Sequence, residues 1–118
     1  MVRKMRYDDI PVITRMIEIY NVEVAHFHYT LDYNMITAHL CACLIEESLV
    51  CYVSVDEQDN IRGFIIINVT TPFFSRDRTT NNMMVYILPQ YRQDKDFLFL
   101  FRKLIETAKE KKSLYIEC

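Results

Sequence analysis

The segment from Tyr86 to Lys111 constrains the fold more than any other part of the chain. Its apolar start ends at Pro89, a short polar turn follows, and a long amphipathic stretch completes it. Asp94 or Asp96 can cap a helix over that stretch, and the apolar run Leu114 to Ile116 predicts a strand after it. A strand, a helix and a strand in this order predict a right-handed crossover and a parallel strand pair. The helix has one continuous apolar face at helical spacing: Phe97, Leu100, Phe101, Leu104, Ile105 and Ala108.

Two helical patterns and a hairpin come earlier in the chain. The first helix follows Asp8 and Asp9, which can cap it, and runs to about His26; the second begins near Asp32 and ends around residue 46 or 47. Two β-branched, aromatic-rich runs separated by a polar turn then predict an antiparallel hairpin whose second strand is buried on both faces. These runs are Leu49 to Val55 and Ile61 to Val69.

A loop over residues 70–81 and a strand from Met83 to Leu88 connect the hairpin to the long helix. The order of elements is therefore ααββ, then βαβ. This order predicts an α/β protein, more closely an α+β mixed sheet flanked by helices. At 118 residues the chain fits a single domain over residues 1–118.

Charge and hydropathy exclude several classes of protein. The net charge of -2 gives no general basic surface, so nucleic acid is an unlikely partner. The longest strongly apolar run, Phe64 to Ile67, is far too short for a membrane span, and the basic N-terminus lacks the apolar stretch of a signal peptide. A cytoplasmic protein without a membrane partner is predicted. Gly63 is the only glycine, which excludes Gly-rich nucleotide motifs of the Rossmann or P-loop kind.

The order of elements, with DIPVITRMIEIY opening it and VYILPQYR before the long helix, resembles the GNAT superfamily of N-acetyltransferases. Family members commonly have a strand, a Pro-x-Tyr-Arg step and a turn containing Gly-x-Gly before that helix, and Pro89, Tyr91 and Arg92 match the step. The resemblance covers nearly the whole chain and implies a GNAT-like fold truncated after its fifth strand. In the family this turn binds the pyrophosphate of acetyl-CoA through backbone N–H groups. The resemblance implies a vestigial acetyl-CoA position at Ile87, Leu88, Arg92, Gln93, Asp94, Lys95, Asp96 and Phe97.

The turn departs from the family pattern where glycine is expected. Residues 93–96 all carry Cβ atoms, and together with Arg92 they have a net charge of zero. An Asp side chain that caps the helix would occupy donors that a phosphate needs and would repel the phosphate. Ile87 and Leu88 can still offer backbone groups to a pantetheine-like arm, and Arg92 can still meet one phosphate. The prediction is no cofactor, with acetyl-CoA as the alternative.

No catalytic residue is assigned. The family often uses a Glu on the fourth strand as the base and a Tyr beyond the fifth strand as the acid. Asn81 and Asn82 occupy the region of that Glu, and amides do not titrate usefully. The sequence ends before such a Tyr. Tyr86 and Tyr91 are possible substitutes, and packing explains both.

Metal and thiol chemistry are not predicted either. Each His-x-His or Cys-x-Cys pair would point to nearly opposite sides of a helix, so only one member of a pair could face a common metal. Cys51 has no sequence feature that locates a catalytic partner. Free, reduced thiols are expected at Cys41, Cys43, Cys51 and Cys118, and the weighed zinc ligands are His26, His28, His39, Cys41 and Cys43.

Two segments are candidate protein-binding surfaces. The Phe73–Phe74 pair, with Arg76 and Arg78 beside it, combines aromatic and arginine side chains that interface hot spots favour. The alternative is that both rings fold back over the sheet. The final strand leaves an apolar sheet edge that a partner or a second copy can pair with, so a homodimer or a strand-adding partner is predicted. Its residues are Leu114, Tyr115 and Ile116.

Two functions follow from this resemblance and its departures. The first is a GNAT-like protein that has lost acetyl-CoA chemistry and acts through protein contacts. Short GNAT-like proteins of this kind resemble those of tailed bacteriophages, which implies a virion component or an inhibitor of a host protein in the host cytoplasm. The alternative is a minimal acetyl-CoA-dependent N-acetyltransferase that acts on an amine of a small molecule or protein. The chain is therefore an enzyme only in the second case.

Overall fold

The computed structural model describes residues 1–23 and 28–117. Three helices and five strands lie within these ranges, and short 3-10 turns at Tyr7–Asp9 and Pro89–Tyr91 precede two of the helices. In chain order the elements are β1 Val2–Lys4, α1 Ile10–Glu23, α2 Tyr33–Ile45, β2 Leu49–Val55, β3 Ile61–Thr70, β4 Thr79–Ile87, α3 Asp96–Glu110 and β5 Tyr115–Glu117. The end of the first helix predicted near His26 lies outside the described residues.

The five strands form one mixed sheet in the order β1-β2-β3-β4-β5. β1 to β4 pair antiparallel with their neighbours, and β4 pairs parallel with β5 from Thr79 opposite Tyr115 to Asn81 opposite Glu117. The predicted hairpin and the predicted parallel closing pair are therefore confirmed. The α+β mixed sheet flanked by helices is confirmed as well.

Strand β1 was not predicted from the sequence. Val2 to Lys4 pairs with residues 52–54 of β2, although two of its three residues are cationic. Arg3 is tolerated there because its guanidinium binds the Asp9 carboxylate at 2.7 Å and the Asp59 carboxylate at 2.9 Å. Apolar alternation does not reveal such a strand, because the carboxylates that neutralise Arg3 lie outside it.

Strand β4 begins four residues before the predicted strand. Residues 79–82 are polar and did not predict a strand. Thr79 and Thr80 are nevertheless buried between β3 and β5. The Thr80 hydroxyl lies 2.5 Å from the Ser113 hydroxyl, so its polar atom has a partner in the buried position. Strand pairing on both sides and this hydrogen bond explain why polar residues form the strand here.

The core has two layers, one on each face of the sheet. Helices α1 and α2 pack on one face, with Ile13, Leu40 and Phe64 fully buried. Helix α3 packs on the other face, where Ile65 and Leu104 are fully buried. Because neighbouring residues of β3 serve opposite layers, the predicted burial of this strand on both faces is confirmed.

The buried stripe of α3 is narrower than predicted. Leu100, Leu104 and Ala108 are buried, whereas Phe97 and Ile105 remain nearly half exposed. No helix in the part of the chain that the structure describes is long and apolar enough to cross a membrane.

Candidate functional site

The junction between β4 and α3 brings together the eight residues of the predicted acetyl-CoA position. β4 ends at Ile87, the 3-10 turn Pro89–Tyr91 redirects the chain, and α3 begins at Asp96. A cavity of about 410 Å³ lies beside this junction. Its lining comes from α1, β4, the residue after the turn and α3: Tyr20, Val85, Tyr86, Ile87, Arg92 and Phe97.

The predicted Asp cap of α3 is wrong. Lys95 is the N-cap residue, and no side chain caps the helix. Asp94 instead pairs with the Arg62 guanidinium, and Asp96 accepts a hydrogen bond from the Ser54 hydroxyl. Asp96 is already the first helical residue, so its side chain points into the sheet, where it is buried. A capping Asp therefore does not block a phosphate at this helix.

Arg62 of β3 ties the turn to the sheet. Besides its pair with Asp94, its guanidinium carbon lies 3.9 Å from the centre of the Tyr91 ring, a cation–π distance. Its Nε lies 3.8 Å from Oδ2 of Asp96, within ion-pair range but too far for a hydrogen bond. Tyr91 thus has the packing role that the sequence predicted for it.

Arg92 is bound at both ends of its guanidinium. Its Nη1 forms an ion pair with Glu23 at the end of α1, and its Nε donates to the Ile87 carbonyl at 3.0 Å. The Leu88 N–H donates to the Arg62 carbonyl at 2.9 Å. These two backbone groups of the predicted pantetheine contact already have partners within the protein.

Glu23 is a site residue that the sequence did not reveal. Its carboxylate binds Arg92 and accepts a hydrogen bond from the Tyr86 hydroxyl at 2.6 Å. Arg92 first, and Tyr86 second, hold the pKa of Glu23 below its usual value. Burial, together with the Glu23 carboxylate, raises the pKa of Tyr86 to about 12. Near neutral pH the cluster therefore contains a carboxylate and a protonated phenol.

Tyr20 completes the wall of the cavity. Its ring meets the Tyr86 ring edge to face, with centroids 5.9 Å apart. Tyr86 itself is only 3% exposed, which agrees with the packing role predicted for it. Neither Tyr20 nor Glu23 follows a recognisable motif, and only the contact of α1 with β4 brings them to this cavity.

The asparagines that replace the family's expected Glu lie on β4. Asn81 and Asn82 are both partly buried, and Asn82 Oδ1 is a buried oxygen without a hydrogen-bond partner among the described residues. A β-bulge lies next to them: Asn82 pairs with Ile67 and Met84 pairs with Ile66, and Met83 lies between these two pairs. The strand thus presents amide groups here and no titratable side chain.

The Phe73–Phe74 pair lies at the tip of the loop between β3 and β4. The two residues are the centre of a β-turn closed by the Ser75 N–H and the Pro72 carbonyl at 3.1 Å. Phe73 is fully exposed and Phe74 is 78% exposed, and their rings meet edge to face at 5.4 Å. The alternative in which both rings fold back over the sheet is therefore wrong. Arg76 and Arg78 follow in the same loop and are exposed.

The last strand and the residue before it also expose apolar side chains. Leu114 and Tyr115 are each about 60% exposed and Ile116 is 43% exposed. Within the described residues β5 pairs with β4 alone. Pairing with a partner chain at this strand stays a prediction.

The histidines and cysteines do not assemble into a site in the described ranges. No group of three potential metal ligands occurs within residues 1–23 and 28–117, and His26 lies outside them. The described cysteines are free: Cys41, Cys43 and Cys51. Burial raises the pKa of Cys43 to about 11 and that of Cys51 well above its usual value. Neither thiol has the depressed pKa of a reactive cysteine.

Several solved acetyltransferases are similar to this chain in fold. AAC(6')-Iy, solved in complex with the bisubstrate analogue CoA-S-monomethyl-acetylneamine, has a TM-score of 0.77 at 12% identity, covering 99% of this chain and 76% of that one. A ribosomal-protein-alanine N-acetyltransferase from Brucella melitensis has a TM-score of 0.78 at 14% identity, covering 98% and 76%. An acetyltransferase from Trypanosoma brucei has a TM-score of 0.73 at 16% identity, covering 99% and 80%.

These likenesses establish the fold. The chain has the GNAT acetyltransferase fold, as its sequence predicted, over nearly its whole length. Comparison of the sequence with protein-family models and with curated proteins finds no match. Because these structural neighbours are less than 25% identical to this chain, the likeness shows the fold alone.

Proposed function

We propose that this GNAT-fold protein has lost acetyl-CoA chemistry and acts through contacts with another protein. One observation carries the proposal: both arginines beside the β4–α3 turn are bound by carboxylates of the same chain. Arg62 pairs with Asp94 and lies near Asp96, and Arg92 pairs with Glu23. A pyrophosphate at this turn would have to displace these carboxylates and would then lie beside their charges, which is unfavourable.

The donor set at the turn supports the same conclusion. Residues 93–96 all carry side chains where the family resemblance leads one to expect glycine, and the Phe97 side chain lines the cavity. The Ile87 carbonyl and the Leu88 N–H are already hydrogen-bonded. The residues present do not fit the pyrophosphate and pantetheine of acetyl-CoA.

The titratable groups at the cavity also argue against acetyl transfer. A general base works best with a pKa near the operating pH. Glu23 has a lowered pKa, and Tyr86 has a pKa of about 12 and donates its proton to Glu23. Asn81 and Asn82 have neutral amide side chains that do not titrate usefully. None of these groups has the pKa that proton transfer from an amine requires near neutrality.

The exposed Phe73–Phe74 turn supports the binding role. A fully exposed Phe beside a second exposed ring is costly in water and is a typical anchor for a protein interface. Free cysteines agree with action in a reducing cytoplasm. A virion component or an inhibitor of a host protein is compatible with this surface.

An N-acetyltransferase is the second candidate, and one observation favours it. The N-terminus of α3 carries no side-chain cap, so its first-turn N–H groups are not occupied by a side-chain oxygen. Helix N-termini of this kind attract anions. In this case Arg92 would have to leave Glu23 to meet a phosphate.

Titration with acetyl-CoA separates the two candidates. We expect no heat in calorimetry at low salt, and no rise in melting temperature, with millimolar acetyl-CoA. Binding with a dissociation constant in the micromolar range, about -8 kcal/mol, would contradict the proposal. If binding occurs, Arg92→Ala should weaken it, while Arg15→Ala on the outer side of α1 serves as the control.

Capture of a partner tests the binding role directly. Replacing both Phe73 and Phe74 with Ser should reduce capture of the partner from a lysate to about a tenth, because the two aromatic anchors are removed. The fold should be unchanged, since neither ring packs on the core. Tyr7→Ser, which removes an exposed aromatic ring elsewhere, is the matched control. Undiminished capture by the double variant would remove this surface from the proposal.

A further inference from the structure

A groove lies between the end of the β3–β4 loop and the C-terminal end of α3. One wall is the end of the β3–β4 loop, with Arg76 and Arg78, and the other is the C-terminal end of α3, with Lys109 and Lys112. The volume of the groove is about 510 Å³. Phe74 precedes Arg76, which lines the groove, by two positions in the same loop.

The two walls are joined by hydrogen bonds. The Arg78 carbonyl accepts from the Leu114 N–H at 2.9 Å, and the Arg78 guanidinium donates to the Lys111 carbonyl at 2.9 Å. The Thr80 and Ser113 hydroxyls form a third link between β4 and the segment after α3. These links hold the loop end against α3, so the groove exists before any ligand binds and loses little entropy on binding.

The groove concentrates positive charge on an acidic protein. Its four cationic side chains and one carboxylate, Asp77, give it a net charge of +3. The whole chain has a net charge of -2, so the remaining residues carry -5. None of the four cations forms an ion pair within 4 Å among the residues that the structure describes. The arginines of the β4–α3 turn differ in this respect, since both have carboxylate partners.

We propose that this groove binds a short acidic segment of the partner protein, whose apolar side chain packs on the Phe73–Phe74 turn. The inference rests on the proposed function and names the chemistry of its partner. Unpaired arginines and lysines bind carboxylates by charge-assisted hydrogen bonds, and exposed rings supply an apolar anchor. Complementary charge also speeds encounter with an acidic segment.

A short acidic segment fits this surface better than a nucleic acid. Stable duplex binding commonly neutralises about six to ten phosphates, whereas the groove presents four cations. The -5 carried by the rest of the chain would repel a long polyanion, while a short segment contacts this end of the molecule alone. Oligothymidine is therefore a competitor in the test and not the expected ligand.

Fluorescence anisotropy with defined probes tests the inference. The probe is a short labelled peptide of glutamates and phenylalanines, and the same peptide with glutamine in place of glutamate is its control. We expect the acidic peptide to bind about tenfold more tightly than the glutamine peptide at low salt, with the difference shrinking as salt screens the charges. Equal binding of the two peptides, or tighter binding of oligothymidine, would overturn the inference.

Charge reversal locates the site on the protein. Arg76→Glu with Lys109→Glu should weaken binding of the acidic peptide at least about tenfold. The matched control, Arg15→Glu with Arg102→Glu, changes the net charge equally at exposed positions outside the groove and should leave binding within about twofold. Melting curves verify that both double variants are folded. Equal weakening by the two double variants would show general charge attraction and overturn the assignment.

Capture of the partner distinguishes this inference from the proposed function. If the Phe73→Ser/Phe74→Ser variant loses the partner but the Arg76→Glu/Lys109→Glu variant retains it, the groove inference fails and the binding role stands. If the Phe73→Ser/Phe74→Ser variant retains the partner, the proposed surface fails regardless of the result of the peptide-binding assay. Loss of the partner in both variants, but not in the matched controls, supports both.

Discussion

Replacing Gly63 with Ala is expected to lower the free energy of unfolding by about 3 kcal/mol, the upper part of the range for overpacked cores. A Cβ at this position would lie 2.7 Å from the Tyr86 carbonyl oxygen and 2.8 Å from Ile87 Cγ1. Gly63 is on β3 opposite Ile87 of β4, so relief requires the two central strands to move apart. Denaturant unfolding followed by circular dichroism measures the effect.

Thr70→Ala is the matched control for this prediction. It is an exposed residue of the same strand, and its replacement should change the free energy of unfolding by less than about 0.5 kcal/mol. An equal stability of the Gly63→Ala variant and the wild type would mean that β3 and β4 approach less closely than the structure indicates. Gly63 is the only glycine in the chain, and the close approach of β4 leaves no room for a side chain at this position.

Replacing Asp96 with Ala should destabilise the protein by about 3 kcal/mol, because a buried charge network loses its acceptor. Asp96 is buried at the start of α3 and accepts a hydrogen bond from the fully buried Ser54 hydroxyl. Without it, the Ser54 hydroxyl has no partner and Arg62 loses a nearby carboxylate. Urea unfolding, with the slope of the transition checked for two-state behaviour, measures the loss.

Asp94→Ala tests whether the loss of stability comes from removing a buried carboxylate or from removing any carboxylate near Arg62. Asp94 is exposed and pairs with the same arginine, Arg62, so its removal should cost less than about 1 kcal/mol. Asp96→Asn should cost less than Asp96→Ala, because the amide oxygen can still accept from Ser54. Equal effects of Asp94→Ala and Asp96→Ala would contradict the buried role assigned to Asp96.

The three variants also bear on how this turn departs from an acetyl-CoA site. In the structure one Asp is bound by Arg62 at the surface and the other by Ser54 inside the sheet. The turn is thus held by contacts with β2 and β3 and not by a helix cap. A ligand that needs Arg62 or Arg92 competes with these contacts, and this competition is the physical basis of the proposed loss of function.

Sequence reasoning found the elements whose signal is local. The helical spacing of Leu100, Leu104 and Ala108 and the β-branched hairpin strands are patterns of near neighbours, so they are readable without a structure. The order of the last strand, helix and strand was predicted from such local patterns, and so was the parallel pairing of β4 with β5. Even the resemblance to the GNAT fold depended on this local order and on the step that ends at Arg92.

Features that depend on distant residues could not be read from the sequence. β1 forms by pairing with residues 52–54, and its Arg3 binds the Asp59 carboxylate 56 residues away. The site cluster exists because Tyr86 reaches Glu23 across 63 residues. In both cases the free energy of the arrangement comes from a charge or a polar atom that meets its partner only after the chain has folded.

The sequence by itself therefore determined the helices, the hairpin and the parallel closing unit, since hydrophobic periodicity specifies which face of each element is buried. Only the tertiary structure decided that Asp96 turns into the sheet instead of capping α3 and that Phe73 stands in solvent. An Asp at a helix start can cap it or bind a distant donor, and local sequence is the same in both cases. The choice is made by the buried Ser54 hydroxyl, 42 residues away, whose need for an acceptor outweighs the cap.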